Sequence, residues 1–246
     1  MAKLTDRQDA YGHAMYDAYR GEGGYEVNER DDGCIGFVKA DAYLAQYKDW
    51  PSVAKRAVRL ARGNVLDVGC GAGRHAVYLQ KQGLDVMGID VSPLALKVCR
   101  LRGLAKTRLL SITEVTHRLG TFDTIVMFGN NFGLFGGFKR ARWLLRRLRR
   151  ATSDQARILA QSTDPYGTSQ AYHLAYHKRN RRRGRMSGQV RIRIRYQTYA
   201  TPWFDYLLAS KDEMQQILAG TGWRVSRFIE SKGPGYIGVI EKEAPA

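Results

Sequence analysis

Short apolar runs alternate with amphipathic stretches from residue 64 to residue 162, and that rhythm sets the expected architecture. Residues 64–68 (NVLDV), 84–89 (LDVMGI), 122–128 (FDTIVMF) and 156–161 (ARILAQ) read as strands, and 107–110 as a weaker one. Helical patterns occupy 75–82, 93–102 and 211–218, with a strongly basic one near 139–150. Residues 223–229 and 236–241 read as two closing strands. Strands alternating with helices over short connections predict an α/β fold: a Rossmann-like, seven-stranded, mainly parallel sheet with helices on both faces.

Two segments fall outside this rhythm. Residues 1–50 precede the first core strand and carry six tyrosines, Tyr25 and Tyr43 among them. Residues 163–208 separate the fifth strand from the next helix. Within them Val190, Ile192, Ile194 and Tyr196 alternate with Arg191, Arg193 and Arg195, the period of a strand with one apolar and one cationic face. The expected organisation is therefore an N-terminal lid segment, 1–50, and a main domain, 51–246, whose β-containing insertion, 163–208, completes the lid.

The chain has 246 residues, 44% of them hydrophobic, enough for one sizeable core. Its net charge of +17 is unevenly spread: residues 139–150 hold seven basic side chains and 178–195 hold nine. Such clusters fit nucleic acid, anionic lipid, an acidic small substrate or simply solvated faces. The three cysteines, Cys34, Cys70 and Cys99, form no CxxC pair, which speaks against a disulfide framework or structural zinc. No stretch approaches the roughly 20 apolar residues of a membrane span, and the N-terminal residues lack the apolar core of a signal peptide. The expected location is the cytoplasm, with no membrane partner.

The most informative stretch is VLDVGCGAGR, residues 65–74. A strand leads into a glycine turn and then a helix, where free amides of the first turn are hydrogen-bond donors. Gly69, Gly71 and Gly73 let the backbone turn tightly and admit a ligand without a Cβ in the way. Asp90 ends the second strand, where an acid can accept both hydroxyls of a ribose. A dinucleotide fingerprint would need glycine or alanine at position 74, which is Arg74. With Asp67 the pattern becomes D-x-G-x-G-x-G.

On these motifs the chain resembles the class I S-adenosylmethionine-dependent methyltransferases, over residues 60–162 and again over 211–241. It is also similar to uncharacterised microbial methyltransferases that share runs such as GNNFGLFG and TPWFDYL. The resemblance implies S-adenosyl-L-methionine as cofactor, with Asp67 and the turn Gly69, Gly71, Gly73 at its methionine part. It implies Asp90 and Val91 at the ribose, Ser111 and Ile112 beside adenine, and Gly129 and Asn130 in a loop under the sulfonium that opens onto the acceptor pocket. Methyl transfer needs alignment and, for some acceptors, a base, so no fixed catalytic motif is required. The candidate catalytic residues are Tyr25, Asn131, His173 and Tyr206. His173 and His177 share a helix face but have no third ligand, and no metal is expected. A small, possibly anionic acceptor is the expected substrate. The alternative is RNA or DNA held by the basic clusters, against which the loop lacks the (Asp/Asn)-Pro-Pro-aromatic motif of base-amine methylation.

Overall fold

The computed structural model describes residues 3–243. The chain opens with α1 (Ala10–Arg20), β1 (Tyr25–Arg30), β2 (Ile35–Lys39) and α2 (Ser52–Val58). The alternating region follows as β3 (Asn64–Val68), α3 (Arg74–Lys81), β4 (Asp85–Asp90), α4 (Pro93–Leu101), β5 (Lys106–Leu109), β6 (Phe122–Met127), α5 (Phe138–Arg149) and β7 (Thr152–Thr163). Next come α6 (Ala171–Arg182), β8 (Gln189–Tyr196), β9 (Tyr199–Ala200) and β10 (Phe204–Leu207). The chain closes with α7 (Lys211–Leu218), β11 (Trp223–Glu230) and β12 (Gly235–Lys242).

Seven strands form the main sheet in the order β11-β12-β7-β6-β3-β4-β5. The five strands from β3 to β7 are parallel to their neighbours, and β12 runs antiparallel to both β7 and β11. Central strands of such a sheet are covered on both faces and read as nearly continuous apolar runs. In β3, Leu66 and Val68 enter one core with Leu144, Leu145 and Leu148 of α5 and Met214 and Ile217 of α7. Val65, on the opposite phase, enters a second core with Val53 and Ala57 of α2, Val77 of α3 and Leu96 of α4. One strand thus feeds both layers, as its period of two requires.

The two segments outside the rhythm build a single antiparallel sheet, β10-β8-β1-β2, with β9 on β8. β1 from the N-terminal segment pairs with β8 from the insertion, setting Val27 opposite Arg195 and Glu29 opposite Arg193. Ile194 and Tyr196 pack with Ala10, Ala14 and Ala18 of α1. That helix is tied to the main domain by Asp9, whose Oδ1 accepts from Gly12 N (3.0 Å) and whose Oδ2 accepts from Leu94 N (3.0 Å). One buried carboxylate therefore caps the first turns of both α1 and α4.

Two of the three arginines on the cationic face expected on β8 share one carboxylate. Arg193 donates to both oxygens of Glu29 (2.9 and 3.0 Å), and Arg195 reaches the same carboxylate at 3.3 Å. The basic α5 is similarly occupied with its own fold: Arg142 donates to the carbonyl of Ile217 (3.2 Å) at the end of α7, and Arg147 to that of Val115 (2.8 Å). Cations at a helix C-terminus meet unsatisfied carbonyls there. Among the described residues no helix is long and apolar enough to cross a membrane.

Candidate active site

At the carboxyl ends of the parallel strands, between the two sheets, lies a cavity of about 1480 Å³. Its floor is the glycine turn after β3. Gly69, Gly71 and Gly73 all have positive φ (70°, 54° and 77°), the left-handed region that favours glycine. A Cβ on Gly71 would stand 2.9 Å from Met15 Cε and 3.2 Å from Tyr11 Oη, so the turn packs closely against α1. Asp90, buried at the end of β4, accepts from Gly71 N (2.9 Å) through Oδ2 and from Ser92 N (3.0 Å) through Oδ1. Burial raises its pKa, and the two amides offset part of that rise. Each oxygen keeps a lone pair for a ligand donor. Val91, Ser111 and Ile112 continue this wall. Ser111 also opens a 3-10 turn, its Oγ accepting from Thr113 N and its N donating to Glu114.

Asp67 stands behind the turn rather than on the cavity wall. It accepts the amide of Ala76 in the first turn of α3, and its Oδ2 is buried without a partner. Burial, then the charge of Asp90, pushes it up to about 7.

The loop after β6 forms the next wall. Asn131 donates from Nδ2 to the carbonyls of Val68 (3.0 Å) and Gly69 (2.9 Å), which clasps this loop to the glycine turn. Both donors are therefore committed to backbone. Asn130 adopts φ 64°, and its carbonyl accepts from Tyr206 Oη at 2.7 Å. A Cβ on Gly133 would lie 2.3 Å from the Tyr206 ring, so glycine here lets β10 close on the loop. Gly129 completes the wall and donates its N–H to Gln161 Oε1 (2.8 Å).

The roof comes from the smaller sheet and the N-terminal segment. Ile192, Ile194, Trp203, Phe204 and Tyr206 line it from the insertion, and Tyr11, Met15, Glu26, Asn28 and Tyr43 from the N-terminal part. Tyr11 and Tyr43 meet edge to face at 4.9 Å. Glu26 is 1% exposed, accepts Tyr43 Oη (2.6 Å) and Asn28 Nδ2 (3.3 Å) on Oε1, and burial pushes it up to about 7. Arg74 lines the cavity at the start of α3 and donates to the Ala42 carbonyl (2.9 Å). The neighbouring His75 is packed edgewise between Trp50 and Phe128, where burial holds its pKa well down and keeps it neutral.

Four candidate catalytic residues came from the sequence, and the fold brings two of them to the cavity: Asn131 and Tyr206. Tyr25 is 62% exposed and is not part of the lining, because the period of two in β1 turns Glu26 and Asn28 inward and Tyr25 outward. His173 is also away from it: Arg30 Nη1 donates to its Nδ1 (2.9 Å), where α6 meets the end of β1. His177, one turn on, is buried against Tyr166. Among the described residues no group of three or more His, Cys, Asp or Glu is placed to hold a metal ion. Tyr11 and Arg74 were not among the candidates read from the sequence, and Glu26 and Asn28 entered only as part of the polar, aromatic stretch GGYEVNE, residues 23–29. The available signal was the alternation in YEVNER, with Glu26, Asn28 and Arg30 on one phase and Tyr25 on the other.

Residues 65–155 match the methyltransferase domain family. Among curated proteins, the ubiquinone biosynthesis O-methyltransferase of Xylella fastidiosa is 48% identical over 52 residues, 21% of each chain. The 2-heptyl-1-hydroxyquinolin-4(1H)-one methyltransferase of Mycobacteroides abscessus is 27% identical over 117 residues, 47% of this chain and 45% of that one. The matches thus span less than half the length of these relatives. A solved structure agrees over nearly the whole chain. It is a SAM-dependent methyltransferase from Bacteroides fragilis in complex with S-adenosyl-L-homocysteine: 25% identity, TM-score 0.85, covering 99% of this chain and 98% of that one. With the glycine turn, the acid ending β4 and the seven-stranded sheet, these likenesses place a methyltransferase domain at residues 65–155 and give the whole chain the fold of a class I S-adenosylmethionine-dependent methyltransferase.

Proposed function

We propose that the protein transfers a methyl group from S-adenosyl-L-methionine to a hydroxyl of a small, largely apolar acceptor in the cytoplasm. One observation carries this reading: a single cavity runs from the glycine turn and Asp90 to an aromatic roof contributed by both inserted segments. Its volume of about 1480 Å³ exceeds the roughly 300–1,000 Å³ of a one-ligand site, leaving space for donor and acceptor side by side. The fit to the donor rests on the glycine turn packed closely against α1 and on the free lone pairs of Asp90. Asp90 and Val91 would hold the ribose, Ser111 and Ile112 the adenine, and Gly69, Gly71, Gly129 and Asn130 the part bearing the sulfonium. Asp67 and Gly73 support the turn from behind. The bound donor supplies an activated methyl carbon; residues 1–50 and 163–208 act as a lid that excludes water and aligns the acceptor. The name of the Xylella relative, an O-methyltransferase, supports an oxygen acceptor, and that of the Mycobacteroides relative, a hydroxyquinolinone methyltransferase, supports a ring-bearing one.

The nucleic-acid alternative receives less support, because Glu29 occupies Arg193 and Arg195. Incubation with methyl-labelled donor and, separately, a small-metabolite extract, total RNA or genomic DNA tests the proposal. Label is expected in an organic-extractable small molecule. Stoichiometric label at a defined RNA or DNA position would overturn it.

A further inference from the structure

Glu26 is a buried carboxyl outside the set of residues proposed above to hold the methyl donor. Cross-strand pairing sets it opposite Val38, and both residues line the cavity. Its Oε1 receives two donors, Tyr43 and Asn28, whereas Oε2 is buried with no partner at all. A buried acceptor without a donor is costly, and such an atom on a cavity wall marks a place where a ligand supplies the missing hydrogen. Tyr11 from α1 and Arg74 from α3 complete the polar surroundings. Arg74 binds the Ala42 carbonyl and acts electrostatically on Tyr11 and Tyr43. Tyr206, across the cavity, directs its hydroxyl to Asn130. Glu26 Oε2 is thus the one unpartnered buried acceptor among the polar side chains described on this wall. The cavity that Glu26 lines is also walled by Ile192, Trp203, Phe204 and Tyr206.

We propose that Glu26 Oε2 accepts the proton of the methyl-accepting hydroxyl, and that the acceptor is a neutral phenol-like or hydroxy-heteroaromatic molecule; this rests on the methyltransferase reading above. The 2.6 Å bond from the Tyr43 phenol to the same carboxyl shows that the site already accommodates a phenolic donor. In the reaction the acceptor's O–H bond breaks toward Oε2 and an oxygen lone pair forms the O–CH3 bond. The electron pair of the cleaved carbon–sulfur bond stays on sulfur and cancels its positive charge, leaving a neutral thioether. The proton remains on Glu26 until product leaves and solvent takes it. Tyr43 and Asn28 are positioning residues that fix Oε1 and so aim Oε2. With its pKa near 7, Glu26 is poised to act as a base at neutral pH.

The test uses the full chain saturated with S-adenosyl-L-homocysteine, with 2-naphthol as probe and fluorescence as readout, at about pH 5.5 and about pH 8.5. The naphthol hydroxyl, like a tyrosine's near pH ~10, stays protonated in this range, so pH acts on the protein. Wild-type affinity is expected to rise about tenfold or more between the two pH values as Glu26 ionises. Glu26→Gln should bind 2-naphthol roughly 10–150-fold more weakly at the higher pH, the worth of a hydrogen bond to a charged group, and lose the pH dependence. It should keep its S-adenosyl-L-homocysteine affinity within a few-fold, which shows that it folds. Tyr43→Phe should move the midpoint to higher pH, an effect that a merely structural role would not produce. 2-Methoxynaphthalene, lacking the O–H, should show no pH dependence. Equal binding by wild type and Glu26→Gln overturns the proposal, as does the same pH dependence for the methoxy probe or no binding of 2-naphthol to the loaded wild type. A wild type that fails to bind S-adenosyl-L-homocysteine instead overturns the methyltransferase reading beneath it.

Discussion

Replacing Asp90 by alanine should affect stability and ligand affinity together, and the two effects are separable. In the folded chain this carboxylate is the acceptor for two backbone amides, Gly71 N at 2.9 Å and Ser92 N at 3.0 Å. Removing it leaves both without that partner, at about 1–3 kcal/mol for each buried donor, or roughly 2–6 kcal/mol in all. Because the side chain borders a cavity, water can reach the amides, so the lower end of that range is expected. At about 2–4 °C per kcal/mol for a chain of this size, the melting temperature should fall by roughly 4–8 °C. Loss of the ribose contact should in addition weaken S-adenosyl-L-homocysteine roughly 10–150-fold. Thermal melts with and without the ligand read both: the ligand-free melt drops, and the ligand-induced rise shrinks as well. A variant that melts within about 1 °C of wild type and keeps its full ligand-induced rise would refute both roles.

Other perturbations probe other levels of the structure. Asp9→Ala removes the carboxylate that caps α1 and α4, at about 0.5–2 kcal/mol per cap, and should speed proteolysis within the first 20 residues; an unchanged proteolytic pattern counts against the bridge. Glu29→Gln removes the carboxylate shared by Arg193 and Arg195 and uncovers one net positive charge, so non-specific single-stranded RNA binding should steepen by about 0.7 log units per log unit of salt; an unchanged slope would mean that Glu29 does not offset the arginines. Glu26 titrates near 7 folded against 4.5 unfolded. Its protonated form therefore stabilises the fold fully below pH 4.5, and that contribution, about 3 kcal/mol, is lost as pH rises through about 7. Chemical denaturation of the ligand-free protein should show wild type losing stability relative to Glu26→Gln between pH 5 and 8, and a constant difference would speak against the buried titration.

The main sheet was legible because its strands are covered on both faces. NVLDV and FDTIVMF are too uniformly apolar to be anything but central, and the glycine turn has a spacing of its own. The 107–110 strand was weak in the sequence because β5 is an edge strand whose side chains are only partly buried. The β1–β2 hairpin was not visible as strands. Its inner face carries Glu26 and Asn28, which line a cavity, so the apolar alternation that marks a strand is missing. Ile35 and Phe37 of β2 lie 50% and 67% exposed, which removes the contrast from its other side as well. The phase of β1 follows from pairing with β8, more than 160 residues away, and a one-residue difference in phase exchanges Tyr25 for Glu26 at the wall. The arginines of β8 looked like a phosphate stripe because Glu29, their partner, lies equally far off in sequence.

Calorimetric titration of the full-length wild type with S-adenosyl-L-homocysteine, alongside NAD, tests most directly whether the cavity above the glycine turn is a methyl-donor site. Saturable binding at one site per chain is expected for S-adenosyl-L-homocysteine, with NAD much weaker or silent. Absence of S-adenosyl-L-homocysteine binding by the folded protein, or tighter binding of NAD, would contradict the assignment.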